Sequence, residues 1–362
     1  MHKISIIVGT RPNFIKVTRF KELASNYGCE IRIIHTGQHY DQNMVQVFFD
    51  QFGLRPDVFL NVPGGTQIEQ VAEIMRQLEK EFEQNKPDLV LVPGDVNSTF
   101  ASAFVAHRMG VKLGHIESGL RSSDMGMPEE VNRILTDRIT DLYFITEESG
   151  EKNLLREGVD PAKIHFVGNT MIDTLVRHEP DIAQSDILEK LNLKGNYALM
   201  TMHRPSNVDD ELALEKSVEV IETVANKCQL VLPIHPRTKQ RLDDFGLFDR
   251  LNSNHNVHLA RPMAYFDFQR LIKDAVFVVT DSGGIQEETT FRKVPCITLR
   301  QNTERPITID MGSNVLMEMN PEKVSKSIDQ ILSGNWKNSE IPSHWDGHST
   351  ERILDAIRTD LG

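Results

Sequence analysis

Three segments of this chain end in carboxylates that could move protons or steady a positive charge. Asp95 follows the apolar run 89–92 and a Pro-Gly turn, and Glu117 follows the apolar run 111–116. The pair Glu129-Glu130 opens a helical pattern just after Pro128. In open parallel sheets, ligands gather outside the carboxyl ends of the strands. Asp95, Glu117 and the Glu129-Glu130 pair are therefore expected at one crevice, with Arg121 and Arg133 nearby. Carboxylates grouped in this way suit proton transfer or stabilisation of a developing cation. A plainer role is open to each of them singly: Glu129 and Glu130 complement a helix N-terminus, and Asp95 caps the helix that follows.

A second group has the opposite electrostatic character. Asp281-Ser282-Gly283-Gly284 follows an apolar run and begins a helical pattern. Exposed N–H groups, a serine hydroxyl and the helix dipole make such a turn an anion site, and glycine lets the backbone come close to a phosphate. Without a ligand, the same turn is a simple helix cap. The pair Glu287-Glu288, one turn further on, suits acceptance of hydrogen bonds from ribose hydroxyls, and Arg305 suits a diphosphate. The alternative for Glu287 and Arg305 is a surface ion pair. Arg11 and Lys16, in GTRPNFIK at 9–16, end the first apolar run and offer cations to an anionic substrate or to solvent. His203 and His235 each follow an apolar run in the second half. No H-E-x-x-H spacing accompanies them, so no metal is expected; G-x-G-x-x-G and the P-loop pattern are also missing, which argues against nicotinamide, flavin and P-loop nucleotide chemistry. Phe266 and Phe268 suit a core, or stacking on a base.

These groups have to be positioned by alternating strands and helices. Compact apolar runs at 3–8, 30–34, 89–92, 111–116, 142–145 and 164–167 alternate with helical patterns, two of them (42–52 and 66–82) between the second and third runs, and a second alternating set begins at 197. That is the signature of βαβ units with parallel sheets. A chain of 362 residues exceeds one ordinary core and suits two domains. The expected division is 1–172 and 173–349, with a linker in the acidic stretch 170–194 and a last helix at 350–362. The net charge of −12 argues against nucleic-acid or anionic-membrane partners. No apolar run reaches membrane-spanning length, no secretory signal opens the chain, and the three cysteines lack metal-ligand spacing. The expectation is a cytoplasmic protein.

The motifs, taken jointly, resemble those of the non-hydrolysing UDP-N-acetylglucosamine 2-epimerases. They run the length of the chain in order: GTRPNFIK at 9–16, TGQH at 36–39, PGD at 93–95, HIESGLRS at 115–122, PEEVNR at 128–133, VGNTMID at 167–173, HRPSNV at 203–208, TDSGGIQEE at 280–288 and TERP at 303–306. The resemblance implies an α/β fold of two Rossmann-like domains, GT-B-like, with the active site in the interdomain cleft and the C-terminal helix crossing back to the first domain. It implies a homodimer that needs no cofactor and acts on a UDP-sugar. The implied reaction interconverts UDP-N-acetylglucosamine and UDP-N-acetylmannosamine by anti elimination of UDP to 2-acetamidoglucal and syn re-addition. Carried over by motif, Asp95, Glu117, Glu129 and His203 look catalytic. Arg11, Lys16, Ser282, Gly283, Gly284, Glu288 and Arg305 would hold the nucleotide, with Phe268 near the uracil. Relatives acting on other UDP-HexNAc sugars, and hydrolysing epimerases that release free sugar, share much of this layout. Some members bind a second UDP-N-acetylglucosamine near TGQH; Tyr40 and Asp41 follow it here, where a basic residue is common.

Overall fold

A computed structural model describes residues 1–37, 49–193 and 195–362. The last two residues of TGQH, the Tyr40-Asp41 pair and most of the helical pattern at 42–52 lie outside the described residues. The chain divides into two compact units, Met1–His178 with Ser343–Gly362, and Glu179–Pro342.

The first unit carries a parallel sheet of β1 (His2–Val8), β2 (Cys29–His35), β3 (Val58–Phe59), β4 (Leu89–Pro93), β5 (Lys112–Ile116), β6 (Leu142–Ile145) and β7 (Ile164–Phe166), in the order β3-β2-β1-β4-β5-β6-β7. The second carries β8 (Tyr197–Thr201), β9 (Gln229–Pro233), β10 (Val257–Ala260), β11 (Phe277–Thr280), β12 (Cys296–Leu299) and β13 (Asn314–Met317), in the order β10-β9-β8-β11-β12-β13. Both are doubly wound Rossmann-like sheets. Strand order reverses between β1 and β4 in one and between β8 and β11 in the other, and such switch points are where open α/β sheets bind ligands.

Period-two burial explains the layering. Ile4, Ile6, Leu89 and Leu91 enter one apolar cluster, while Ile7, Val90 and Val92 enter another. In the second unit Ala198, Met200 and Val279 face one cluster, and Tyr197, Leu199 and Val278 face the other. Strands buried on both faces read as unbroken apolar runs, which is how they stand in the sequence. Register then aligns the ends that matter. Pro93 pairs with Ile116, so the turns after β4 and β5 start level. Thr201 pairs with Thr280, which does the same after β8 and β11.

The acidic stretch 170–194 is helical, with helices Thr170–Arg177, Glu179–Ala183 and Ile187–Lys190, and the division between the units falls within it. The first of these stays with the N-terminal unit because it buries Met171, Ile172 and Leu175 there. It also receives the C-terminal helix Ser349–Leu361. The Asp173 carboxylate accepts from Ser349 N at 3.0 Å and from Thr350 Oγ1 at 2.7 Å, while Ile353, Leu354 and Ile357 join the core formed by Ile4 and Phe20. No helix among the described residues is long and apolar enough to cross a membrane.

Docking of this segment depends on Gly168, whose φ is +90° and where an added Cβ would lie 2.0 Å from the His344 carbonyl oxygen. Gly168→Ala is expected to cost about 1–3 kcal/mol through overpacking together with left-handed backbone strain. The urea unfolding midpoint measures this; an unchanged midpoint contradicts it.

Candidate active site

The first unit's switch point is assembled from the turns after β1, β4 and β5. Gly94 has φ +69°, and a side chain there would meet Lys16 Nζ at 3.1 Å, Asn13 Nδ2 at 3.2 Å and Glu117 Oε2 at 3.8 Å. Glycine is what allows these groups to close around the turn. Asn13 accepts from Thr10 Oγ1 at 2.6 Å and donates to the Pro93 carbonyl at 2.8 Å, tying the end of β1 to the end of β4. Lys16, expected as a cation presented to substrate, is buried and donates to Glu117 Oε2 at 2.6 Å. Glu117 is itself 2% exposed and stands at φ +70°. A left-handed glutamate is a strained arrangement that the surrounding structure must enforce. Here the N–H groups of Glu117 and Ser118 both donate to the Phe144 carbonyl, at 3.0 and 3.3 Å.

The helix Pro128–Arg138 does not present the aliphatic face that Ile134, Leu135 and Ile139 suggest. Its buried residues are Glu130, Arg133, Thr136 and Asp137, and Leu135 is 43% exposed. Glu130, Arg133 and Asp137 recur at i, i+3 and i+7, so one helical face carries three charges into the protein. Arg133 pairs with both Asp95 and Glu130. Glu130 also accepts from Ser122 N and Ser123 N, at 2.9 and 3.0 Å, fixing the loop before the helix. Asp137 meets His115 Nδ1 at 2.6 Å, Arg121 Nη2 at 2.8 Å and Gly119 N at 3.0 Å. Burial pushes the Asp137 carboxyl up, but His115 and Arg121 together bring it below its ordinary value. Glu129, by contrast, is exposed in the helix's first turn. The structure therefore brings Asp95 and Glu117 onto adjoining strand ends, assigns Glu130 to the scaffold and leaves Glu129 open to solvent.

In the second unit, Asp281 organises the turns after β8 and β11. Its carboxylate accepts from the backbone N–H groups of His203 and Arg204, at 2.9 and 2.8 Å, and from Asn207 Nδ2 at 3.1 Å. It also faces His203 Nδ1 at 2.9 Å. Burial raises the Asp281 carboxyl, and His203 with these N–H donors outweighs that to leave it lowered. Nδ1 is engaged by this pairing, and the His203 side chain is half exposed. His235, also exposed, has its ring centroid 6.5 Å from that of His203. Among the described residues no cluster of three or more His, Cys, Asp or Glu could hold a metal ion.

The helix Gly283–Arg292 begins at Ser282, whose side chain makes no capping bond. An added Cβ at Gly283 would meet Arg305 Nη1 at 2.8 Å and Glu304 Oε1 at 3.0 Å. Arg305 is thus packed across the helix start, beside Gly284, and is gripped by Glu304 and by Glu287 at 3.0 Å. Arg11 lies half-buried in the short helix Arg11–Ile15. Glu288, expected near a ribose, is 5% exposed and sits among Tyr265, Gln269 and Arg292. Phe268 is partly buried against the cluster of Leu271, Ile272 and Ile285. Asp137 and the orienting role of Asp281 were not read from the sequence. Charged residues at helical spacing inward of an N-terminal turn are the signal that could have found the first.

The family described as UDP-N-acetylglucosamine 2-epimerase matches residues 21–358. The chain belongs to that family. Over 367 residues it is 40% identical to a UDP-N-acetylglucosamine 2-epimerase of Methanococcus maripaludis, covering 99% of this chain and 98% of the relative. A crystal structure of the Methanocaldococcus jannaschii UDP-GlcNAc 2-epimerase in complex with UDP-GlcNAc and UDP superposes with TM-score 0.90 at 40% identity, covering 99% of this chain and all of the other. A Pseudomonas aeruginosa UDP-2,3-diacetamido-2,3-dideoxy-D-glucuronate 2-epimerase is 38% identical over 360 residues, covering 98% of this chain and 99% of the relative. The epimerase-family fold of two GT-B-like Rossmann sheets is the one described above.

Burial pushes the Glu288 carboxyl from 4.5 up to about 7, and the Gln269 bond and Arg292 charge only partly offset it. Between those values the folded protein holds a proton that the unfolded chain has released, so this group's contribution to stability falls as pH rises from about 4.5 to 7. Glu288→Gln removes that penalty. The variant is expected to gain about 1–3 kcal/mol on its parent between pH 4.5 and pH 8, read from urea midpoints at the two pH values. A difference between variant and parent that stays constant with pH contradicts it.

Proposed function

We propose that this chain is a non-hydrolysing UDP-N-acetylglucosamine 2-epimerase. It interconverts UDP-N-acetylglucosamine and UDP-N-acetylmannosamine by anti elimination of UDP to 2-acetamidoglucal, followed by syn re-addition. The observation that carries the reading is the pairing of Asp95 and Glu117 on the adjoining ends of β4 and β5, at a topological switch point and each matched to a cation. The relative whose crystal structure holds UDP-GlcNAc and UDP supports the substrate class.

The chemistry fits those groups. The C2 proton of the sugar is not α to a carbonyl, so a base alone faces a prohibitive pKa gap. Cleavage of C1–O has to run ahead of proton removal, and C1 takes on oxocarbenium character. Asp95 and Glu117 supply negative charge to that cation and a base for the C2 proton, with Glu129 as a third, exposed carboxylate. Departing UDP gathers charge on its diphosphate. The Ser282–Gly284 helix start and Arg305 receive it, with Arg11 adding positive potential, while Lys16 is held by Glu117. His203, held through Nδ1 by Asp281, offers Nε2 to the same leaving group. Glu288 and Phe268 are assigned to the nucleoside. No cofactor or metal takes part.

The chain is proposed to work in the cytoplasm as a homodimer, supplying an activated sugar for polysaccharide biosynthesis. Three free cysteines suit a reducing compartment. Helices Asn97–Arg108 and Pro128–Arg138 pack together and expose Phe104 and Leu135, apolar surface that a second copy would cover. The 38% identical diacetamido-glucuronate 2-epimerase makes a related UDP-HexNAc sugar the second reading.

Incubation with UDP-N-acetylglucosamine in deuterated water, followed by proton NMR, is expected to show both C2 epimers carrying deuterium. Asp95→Asn and Glu117→Gln should each lower that exchange by at least about 100-fold, while UDP affinity by calorimetry stays within about three-fold. Free N-acetylmannosamine as product selects the hydrolysing class. Exchange only with a diacetamido-uronate substrate selects the second reading.

A further inference from the structure

One buried group of the first unit takes no part in the reaction as proposed. His115, at the carboxyl end of β5, is fully enclosed. Its Nε2 lies 2.8 Å from the Gly94 carbonyl oxygen and its Nδ1 lies 2.6 Å from Asp137 Oδ1. A carbonyl only accepts, so Nε2 must carry a proton. The Asp137 carboxylate is an acceptor too: its other oxygen takes Gly119 N–H at 3.0 Å and Arg121 Nη2 at 2.8 Å. His115 and Arg121 hold the Asp137 carboxyl below its ordinary value, so it is ionised and Nδ1 carries the second proton. Turning the ring over would set carbon atoms against both acceptors.

Both charges are balanced locally. Arg121 also clamps Glu157 through Nε and Nη2, at 2.8 and 2.9 Å. His115 and Arg121 therefore face Asp137 and Glu157, a neutral cluster of the kind a low-dielectric interior tolerates.

The placement of these bonds matters more than their number. Gly94 N donates to Ile116 O at 3.0 Å, so both polar groups of Gly94 are held by the last two residues of β5. The Gly94 carbonyl and the Asp95 N–H belong to one rigid peptide plane. Glycine at φ +69° offers no side chain to resist rotation of that plane. Asp137 meanwhile holds Gly119 N–H, two residues beyond Glu117, as His115 stands two residues before it. One His–Asp pair thus braces the turns bearing both Asp95 and Glu117.

We propose that His115 is a buried imidazolium and the positioning residue that sets the Asp95 peptide against the Glu117 turn. The positioning half rests on the reading of Asp95 and Glu117 as catalytic; the imidazolium half does not.

The test has two arms. In the unmodified protein labelled with 15N-histidine, and with ring signals assigned by backbone-to-ring correlation, both nitrogens of His115 are expected in the protonated range at pH 7.5. One protonated and one bare nitrogen overturns the imidazolium. In the second arm, His115→Gln is expected to lose about 10- to 100-fold in kcat for C2 exchange, the scale of a misplaced catalytic group. KM should stay within about two-fold and UDP binding should be unchanged. His115→Ala, which supplies no N–H to Gly94, should lose more than His115→Gln. Full kcat in both variants, or a raised KM at constant kcat, overturns the positioning role. Absence of C2 exchange in the parent protein points instead to failure of the epimerase reading, and the NMR arm still decides the protonation state. Should neither variant fold, the unmodified protein likewise answers through its ring nitrogens.

Discussion

Arg133, 2% exposed, holds the carboxylates of Asp95 and Glu130 at once, and the geometry of the first unit's switch point depends on that grip. A guanidinium enclosed in protein is tolerable only when its charge is matched, and deleting one partner of such a pair typically costs about 3–5 kcal/mol. The constraint propagates outward. Glu130, anchored by Arg133, fixes the backbone of Ser122 and Ser123, and Asp95, held from the other side, keeps its place after β4. Lys16 with Glu117, and His115 and Arg121 with Asp137, repeat the device at neighbouring positions. Glu117, Glu130 and Asp137, buried at these strand ends, each have a cation against them. The arrangement also suits an anionic substrate: unmatched carboxylates would repel a diphosphate sugar, whereas paired ones present little net field until charge develops at the reacting carbon.

The second unit follows another logic, because its task in the proposed reaction is to receive negative charge. Donors are concentrated at the start of Gly283–Arg292, where Ser282 leaves the helix end uncapped and Arg305 packs on Gly283. Acidic residues serve there as anchors. Asp281 binds the turn that carries His203, and Glu287 with Glu304 steers Arg305. The α/β framework is similar in the two units, and the sign of the chemistry at each switch point is set by which side chains end the strands.

Much of this was legible in the residues. Unbroken apolar runs identify strands buried on both faces, and alternation with helical patterns specifies parallel sheets. The strand ends reached by those runs are where Asp95, Glu117, His203 and Asp281 stand. Apolar periodicity is the usual guide to a buried face, and in the helix Pro128–Arg138 ion pairs take its place: Glu130, Arg133 and Asp137 are buried while Leu135 is exposed. The acidic stretch at 170–194 contains the division between the units, and its N-terminal part belongs to the first. Its first helix, Thr170–Arg177, buries Asp173 as the acceptor for Ser349 and Thr350, residues far along the chain.

The sequence alone determined the strand and helix order, the doubly wound class and the family, because apolar periodicity, turn residues and motif order are all local in the chain. Tertiary structure decided which of two adjacent glutamates is scaffold and which is exposed, why Lys16 faces Glu117, and how His115 comes to hold the Gly94 carbonyl. The last two outcomes depend on contacts between residues 101 and 21 positions apart. Whether a charge is buried and paired is settled only when distant strand ends are brought level by the register of the sheet.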